Sequence, residues 1–317
     1  MRLTLAGQFS SVKLEYLERS NVQSPEVNRL FQRRMMGPHV APSFQQWDEP
    51  KYLDLLIKSP PNDIVDCVKI KCYTLPKIGE CGDVIMADWA LHVRRHYIFD
   101  EELSAVVQRR SVTVEEYLRK SVIPNKRETM SGDFGEMLIA DLLERFENYR
   151  VPRYKHCDRL DRNESEHGSD VIGYKVSDSQ SCDVEDELLV VEVKAQTSSG
   201  YIKGVVNKAK KDSRKDRVNL RHMDKSRLGM TLNYLERRSD DYGDNVTAAI
   251  MRRFLEAAEF PCIIRYGIGA IAATDNASSL IAKNYQRSDF DTLDKVLVLG
   301  GKDAAQLLTR IYEGCTK

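Results

Sequence analysis

The chain has 317 residues, of which 42% are hydrophobic and 30% are charged, a balance that excludes an intrinsically disordered protein. Its 48 basic and 48 acidic residues cancel, so net charge indicates no polyanionic partner and only local clusters of charge can do so. The sequence contains no run of about 18 uncharged apolar residues, so it predicts no membrane span. The apolar run at the N-terminus is too short for a signal peptide.

The seven cysteines are scattered and form no CxxC pair, so their spacing predicts neither a disulfide framework nor a zinc finger. His156-Cys157 is the closest approach to a pair of metal ligands, and we interpret it as part of a loop. Free thiols are typical of a reducing compartment, which favours a cytoplasmic protein without a membrane association.

Residues 1–124 are predicted to form a smaller α+β N-terminal region. We expect a short helix over 52–60, a strand within 63–76, an amphipathic helix over 82–103 and another helix over 112–122. Aromatic and histidine residues of the third segment recur at helical spacing and favour core packing with a solvated opposite face (Trp89, His92, His96 and Tyr97). Because no catalytic pattern is recognisable here, we interpret this region as regulatory or partner-docking.

After residue 124 the pattern changes to that of a layered α/β domain over 125–317. The segment SGDFGEMLIADLLERF predicts a helix that Asp133 caps. Its apolar residues recur at steps of three and four (Phe134, Met137, Leu138, Leu142 and Phe146). Glu136 interrupts this apolar stripe, which makes it a candidate functional residue.

Strands and helices alternate through the rest of this domain. We expect two strands joined as a hairpin (170–176 and 187–195), a basic helix (200–217), two helices (226–238 and 245–259), strands in 262–275 and 296–301, and a terminal helix (304–314). This order predicts an α/β fold with a mixed sheet flanked by helices. The GIGA segment at 267–270 lacks the ending of a phosphate loop, so its glycines favour close packing in a core strand.

The strand LLVVEVKA carries a glutamate and a lysine on one face. Side chains alternate across a sheet, so Glu192 and Lys194 share a face and need partners or a metal ion there. Asp170, on the preceding strand, can lie opposite Glu192, and Glu136 can approach from the helix. Oxygen ligands that converge in this way suit Mg²⁺ or Mn²⁺. A plain Glu-Lys pair on a solvated strand is the alternative.

An E-x-K strand preceded by an aspartate and by a helical glutamate resembles the PD-(D/E)XK nuclease superfamily. The resemblance implies a restriction-endonuclease-like fold and metal-dependent phosphodiester cleavage. It implies that Asp170 and Glu192 ligate the metal, that Lys194 orients or helps to deprotonate water, and that Glu136 completes the shell or holds a second ion. Ser169 stands where the superfamily has proline, a position that varies widely among its members.

Basic residues are concentrated just after this strand. Candidate nucleic-acid-binding residues are Lys203, Lys208, Lys210, Lys211, Arg214 and Lys215. A basic run alone is usually a solvated helix face, and its place beside E-x-K is what favours phosphate binding. Ser198 and Ser199 could contact phosphate or form a turn. His167 could assist as a base, although a loop histidine is more often structural.

A closer resemblance is to the HamA nuclease subunits of Hachiman antiphage defence (the DUF1837-type family). FGEMLIADLL, GSDVIGY, ELLVVEVKAQ and RYGIGAIAATD carry it, together covering about Ser131 to Asp275. The resemblance implies a heterodimer with a superfamily-2 helicase subunit, HamB-like, that restrains an indiscriminate DNase until phage or damaged DNA releases it.

Two other functions stay open at the level of sequence. The first is a stand-alone restriction-type endonuclease, although no target-recognition domain is recognisable. The second is a catalytically inactive nucleic-acid-binding helicase adaptor, against which the intact Glu136, Asp170, Glu192 and Lys194 argue.

Overall fold

A six-stranded mixed sheet organises the fold, with the strand order β1-β2-β6-β5-β4-β3. The strands are β1 (Ile57–Lys58), β2 (Ile70–Thr74), β3 (Val171–Lys175), β4 (Glu187–Gln196), β5 (Ile263–Ala272) and β6 (Lys295–Gly300). The computed structural model describes residues 49–66, 68–157, 159, 161–164, 168–177, 183–218, 225–256 and 262–317. The α/β class with a mixed sheet is thereby confirmed, and it is consistent with a restriction-endonuclease-like architecture.

Helices cover both faces of this sheet. They are α1 (Asp83–Arg95), α2 (Asp100–Arg110), α3 (Val114–Tyr117), α4 (Arg127–Glu147), α5 (Ile202–Asp212), α6 (Arg227–Asp241), α7 (Asn245–Leu255), α8 (Ala277–Asn284) and α9 (Ala304–Gly314). No helix among the described residues is long and apolar enough to cross a membrane.

The predicted hairpin sets the register that matters for function. β3 pairs antiparallel with β4, and Val171 lies opposite Val191. Continuing this register by one residue places Asp170, just before β3, beside Glu192. β4, β5 and β6 run parallel, as does β2 against β6.

The alternation of β4 divides its side chains between two hydrophobic clusters. Leu189, Val191 and Val193 pack in the cluster that contains α1, α4 and α9. Leu188 and Val190 pack on the other face, in the cluster that contains α6 and α7. Glu192 and Lys194 continue the second series, so they lie on the face of α6 and α7.

Two glycines let α4 lie unusually close to the sheet. A Cβ atom on Gly135 would lie 2.8 Å from the Cβ of Ala195, and one on Gly269 would lie 2.5 Å from Ile139 Cγ1. Real side chains do not tolerate such distances, so glycine is needed on both the helix and the strand. Gly269 belongs to the GIGA segment, and its role in close packing agrees with the sequence interpretation.

The structure corrects several predicted boundaries. Asp133 is not a cap, because α4 begins at Arg127 and Asp133 is buried inside it, bound to Arg159. The single helix expected over 82–103 is two helices, α1 and the start of α2. The basic helix ends at Asp212 and continues as a 3₁₀ turn, Ser213–Arg217.

Residues on both sides of position 124 contribute to the same sheet. β2, at Ile70–Thr74, pairs along its whole length with β6 near the C-terminus. Trp89, His92, His96 and Tyr97 are all buried, which confirms the predicted core packing, whereas Val84 and Leu91 of α1 are exposed. The regulatory or docking role of residues 1–124 stays a prediction.

Candidate functional site

The carboxylates of Asp170 and Glu192 lie side by side at the β3–β4 pair. Asp170 Oδ2 accepts a hydrogen bond from the backbone N–H of Val193 at 2.8 Å, which fixes this carboxylate against β4. Glu192 is buried, with only 2% of its surface exposed. Buried carboxylates are stable only with cationic or hydrogen-bonding partners, and this site supplies cations from three segments.

Lys194 is the first of these cations. Its Nζ atom donates to Glu192 Oε1, lies 3.4 Å from Asp170 Oδ2 and donates to the Val193 carbonyl at 3.0 Å. Burial lowers the pKa of Lys194, but the Asp170 and Glu192 carboxylates more than offset this and raise it above its ordinary value. The structure therefore brings together three of the four residues that the sequence singled out, with Lys194 protonated.

Arg227, at the start of α6, is a second cation between the same carboxylates. Its Nη1 atom lies 2.7 Å from Glu192 Oε2, and its Nη2 atom lies 3.4 Å from Asp170 Oδ1. Nη1 is also 3.3 Å from Asp216 Oδ1. The side chain of Ser226 accepts a hydrogen bond from the Gly229 N–H and caps α6. This cap places Arg227 at the first position of the helix.

Asp216 lies behind Arg227 and is almost completely buried. Ser169 Oγ donates a hydrogen bond to Asp216 Oδ1 at 2.7 Å. Burial raises the pKa of Asp216 to about 6, although the nearby Arg227 opposes the rise. The Ser169 hydroxyl therefore holds this carboxyl in place.

Glu136 approaches from α4, on the opposite face of the sheet, and joins the cluster through Lys155. Lys155 Nζ lies 2.7 Å from Glu136 Oε2 and 3.9 Å from Asp170 Oδ1, and it donates to the Asp170 carbonyl at 2.9 Å. The contact with Glu136 is an ion pair without hydrogen-bond angles, so Oε2 accepts no hydrogen bond from any described residue. Burial raises the pKa of Glu136 to about 8, with Lys155 opposing and Asp170 adding to the rise.

The carboxylate oxygens of Glu136 and Asp170 are those of this cluster that could hold a divalent cation, and Lys155 pairs with both of them. The buried Oε2 atom of Glu136 accepts no hydrogen bond, and burial raises the pKa of this carboxyl to about 8 despite the nearby Lys155. Glu136, Asp170 and Glu192 do not bring their ligand atoms within 4.8 Å of one another, because Lys194 and Arg227 lie between two of them. Oxygen-only ligands of this kind suit Mg²⁺ or Mn²⁺.

A second cluster, His92, His96 and Asp141, brings its potential ligand atoms closer together than Glu136, Asp170 and Glu192 do. Among the described residues it is the one group of three metal-ligating side chains whose ligand atoms all lie within 4.8 Å of one another. Asp141 accepts hydrogen bonds from Tyr52 Oη at 2.7 Å and from Arg153 at 2.8 Å, and His92 Nε2 lies 3.1 Å away. The Arg153 guanidinium supplies the positive charge here, so this cluster is a closed structural network.

The basic helix α5 meets the site at its C-terminal end. Asp212 Oδ2 lies 3.8 Å from Lys194 Nζ. Five of the six candidate DNA-binding residues are exposed (Lys203, Lys208, Lys211, Arg214 and Lys215). Lys215 pairs with Asp212, whereas the other four form no ion pair with any described residue.

Lys210 differs from the rest of the candidate DNA-binding set. It is half-buried, lies 3.8 Å from Asp289 and stands over the ring of Phe290 at 4.9 Å. These contacts hold the Lys210 side chain against Asp289 and Phe290 rather than in solvent. His167, the candidate loop base, lies outside the described residues.

Sequence reasoning missed Arg227, Asp216 and Lys155. Arg227 and Lys155 lie 35 and 15 residues from their carboxylate partners in sequence, on segments without a catalytic motif. Only Ser226, a helix-capping residue before an amphipathic segment, marked where Arg227 would stand.

The comparison with known families identifies the chain. No curated protein matches it significantly. A family model described as HamA matches residues 50–314, which is most of the chain and includes every residue of the site described above. The chain therefore belongs to the HamA family of Hachiman-type antiphage-defence proteins.

Proposed function

We propose that this chain is a metal-dependent deoxyribonuclease, the effector of an antiphage defence complex in which a superfamily-2 helicase subunit restrains it. The observation that carries the proposal is the contact of Lys194 with both Asp170 and Glu192, beside the buried Glu136 oxygen. Membership of the HamA family supports the defence context.

Three carboxylates and one lysine carry the proposed chemistry. Asp170 and Glu192 would hold Mg²⁺ or Mn²⁺, and Glu136 would complete its shell or hold a second ion. The ion lowers the pKa of bound water and neutralises charge on the phosphate when it is present. Lys194 would orient the attacking water and add positive charge next to the phosphate.

The basic surface of α5 would bind the phosphate backbone of DNA. Lys203, Lys208, Lys211 and Arg214 are exposed and form no ion pair with described carboxylates, so their charge is available to a polyanion. Asp212 joins the end of this helix to Lys194, so DNA bound along α5 would reach the site.

Cleavage of plasmid and linear DNA by the purified full chain tests the proposal. The assay uses Mg²⁺ or Mn²⁺ with an EDTA control, for the chain alone and together with a superfamily-2 helicase encoded next to its gene. We expect metal-dependent degradation that the helicase suppresses and that phage or damaged DNA restores. A smear of products supports an indiscriminate nuclease, whereas discrete fragments would indicate a restriction-type enzyme instead.

Two substitutions and two matched controls test the site. Glu192→Gln and Lys194→Gln should each slow cleavage by about 10³-fold or more, because they remove a metal ligand and a catalytic cation. Glu187→Gln, on the same strand and paired with Arg265, should cleave at the wild-type rate. Lys302→Gln, an exposed surface change, should do the same. Wild-type cleavage by the first two variants would contradict the site.

A further inference from the structure

Every carboxylate oxygen of the two proposed metal ligands already has a cationic neighbour from this chain. Lys194 contacts one oxygen of each, Asp170 Oδ2 and Glu192 Oε1. Arg227 contacts the other oxygen of each, Asp170 Oδ1 and Glu192 Oε2. A divalent cation that binds both carboxylates therefore meets a resident cation at every oxygen of the pair and competes with it.

Lys194 and Arg227 differ in the contacts that each would keep after it released Asp170 and Glu192. Lys194 belongs to the same strand as Glu192, and its Nζ atom is tied to the adjacent Val193 carbonyl at 3.0 Å. Each cation also has a third carboxylate: Asp212 Oδ2 lies 3.8 Å from Lys194 Nζ, beyond hydrogen-bond distance, whereas Asp216 Oδ1 lies 3.3 Å from Arg227 Nη1. Arg227 can therefore release Asp170 and Glu192 and still keep an ion pair.

Asp216 is built to hold such a cation. It is 1% exposed, and Ser169 Oγ fixes its Oδ1 atom at 2.7 Å. A buried carboxylate without a cation nearby is costly, so Asp216 gains when Arg227 turns fully toward it.

We propose that Arg227 is a displaceable counter-cation of the metal site. It neutralises Asp170 and Glu192 in the metal-free chain, competes with the divalent cation for them, and transfers to Asp216 when the cation binds. The inference rests on the proposed function, and it makes Arg227 a positioning residue that acts through the ligands. Competition from Arg227 also raises the metal concentration that is needed to fill the site, because a site that is open only part of the time binds metal with proportionally lower affinity.

Calorimetric titration of Mn²⁺ into the full-length chain tests this competition. We expect Arg227→Gln to bind Mn²⁺ about tenfold more tightly than the wild type, because a competing charge is removed from both ligands. The Mn²⁺ concentration for half-maximal DNA cleavage should fall by the same factor. Arg253→Gln is the matched control, since Arg253 pairs with Asp186 at similar burial and should leave both values unchanged.

Two further variants keep the test independent of folding. Arg227→Lys retains the charge without the two-pronged contact, and we expect Mn²⁺ affinity between those of wild type and Arg227→Gln. Asp216→Asn removes the alternative partner, so Mn²⁺ should bind several-fold more weakly than to the wild type. Far-ultraviolet circular dichroism checks that each variant is folded.

The outcomes separate this inference from the proposed function. In one outcome the wild type binds Mn²⁺ and cuts DNA, while folded Arg227→Gln and Arg227→Lys bind Mn²⁺ equally or more weakly. That result would overturn the role of Arg227 and leave the proposed function standing. Absence of Mn²⁺ binding from the wild type and from Arg227→Gln alike would overturn both the metal site and the inference.

Discussion

Helix α4 carries two carboxyl groups five residues apart whose pKa values shift in opposite directions: Asp141, which is buried, and Glu136, whose side chain is 12% exposed. Burial raises the pKa of Glu136 to about 8. Burial also raises the pKa of Asp141, but His92 and Arg153 more than offset it and hold the value at about 2. The two acids share a helix and a core, so the difference comes from their neighbours.

The neighbours show what distinguishes a structural acid from one that is poised for a ligand. Asp141 has donors or cations at both oxygens, from Tyr52, His92 and Arg153. Glu136 Oε2 lies 2.7 Å from Lys155 Nζ and 3.6 Å from His156 Nε2, and it accepts no hydrogen bond from any residue that the structure describes. Close clustering of ligand atoms therefore marks the closed network, and incomplete satisfaction marks the candidate metal site.

The largest expected effect is the loss of stability when the closed network is opened. Asp141→Asn removes one of the two carboxylate partners of the largely buried Arg153 and the charged partner of His92. We expect the free energy of unfolding to fall by about 3–5 kcal/mol. Urea unfolding followed by circular dichroism measures this, with the exposed Asp240→Asn as control. A fall below about 1 kcal/mol would show that the network contributes little to the fold.

The second-largest expected effect is a slower rate of DNA cleavage when Glu136 is replaced. Glu136→Gln should slow DNA cleavage by about 100-fold, because it removes a charged ligand from the proposed ion. Its unfolding free energy should not fall by more than about 1 kcal/mol, since a neutral amide avoids the cost of burying a charge. If Asp141→Asn slowed cleavage more than Glu136→Gln at a temperature where both are folded, the comparison would be wrong.

Acid should weaken the Asp141 network in a defined interval. A carboxyl whose folded pKa is about 2, against an ordinary 3.8, stabilises the fold above about pH 4 and loses that contribution as the pH falls toward 2. The wild type should therefore lose about 2 kcal/mol more than Asp141→Asn over this interval. Unfolding curves at several pH values from about 5 down to about 2 measure the difference, and parallel curves would contradict the assignment.

The smallest effect concerns the basic surface of α5. Replacing Lys208 and Lys211 by glutamine should reduce the dependence of log Kd on log salt by about 0.9 for each phosphate of duplex DNA that the variant no longer neutralises. Fluorescence anisotropy with the Glu192→Gln background prevents cleavage during the measurement. Lys283→Gln, exposed on α8, is the control, and an unchanged slope in the double variant would exclude α5 from the interface.

The elements that place the acidic site were predictable because they depend on local patterns. Alternation in Glu187–Gln196 puts Glu192 and Lys194 on one face, and the hairpin puts Asp170 opposite Glu192. The apolar stripe of α4 buries Phe134, Met137, Leu138 and Leu142 and leaves Phe146 exposed at its end, and Glu136 interrupts it. Each of these follows from a strand or helix period and a short connection.

The rest depends on contacts between distant segments, which no local period encodes. Asp133 looked like a helix cap, but its burial and its ion pair with Arg159 depend on a loop 26 residues away. Arg227 enters the site only because α6 packs on the sheet. β2 pairs with β6 from the far end of the chain, a partner that alternation alone does not specify.

The most direct test of the metal site is anomalous diffraction from crystals of the full chain grown with Mn²⁺. The account predicts an anomalous peak bounded by the carboxylates of Asp170, Glu192 and Glu136, with Arg227 turned toward Asp216. A peak at His92, His96 and Asp141 instead, or none beside Asp170 at saturating Mn²⁺, would contradict it.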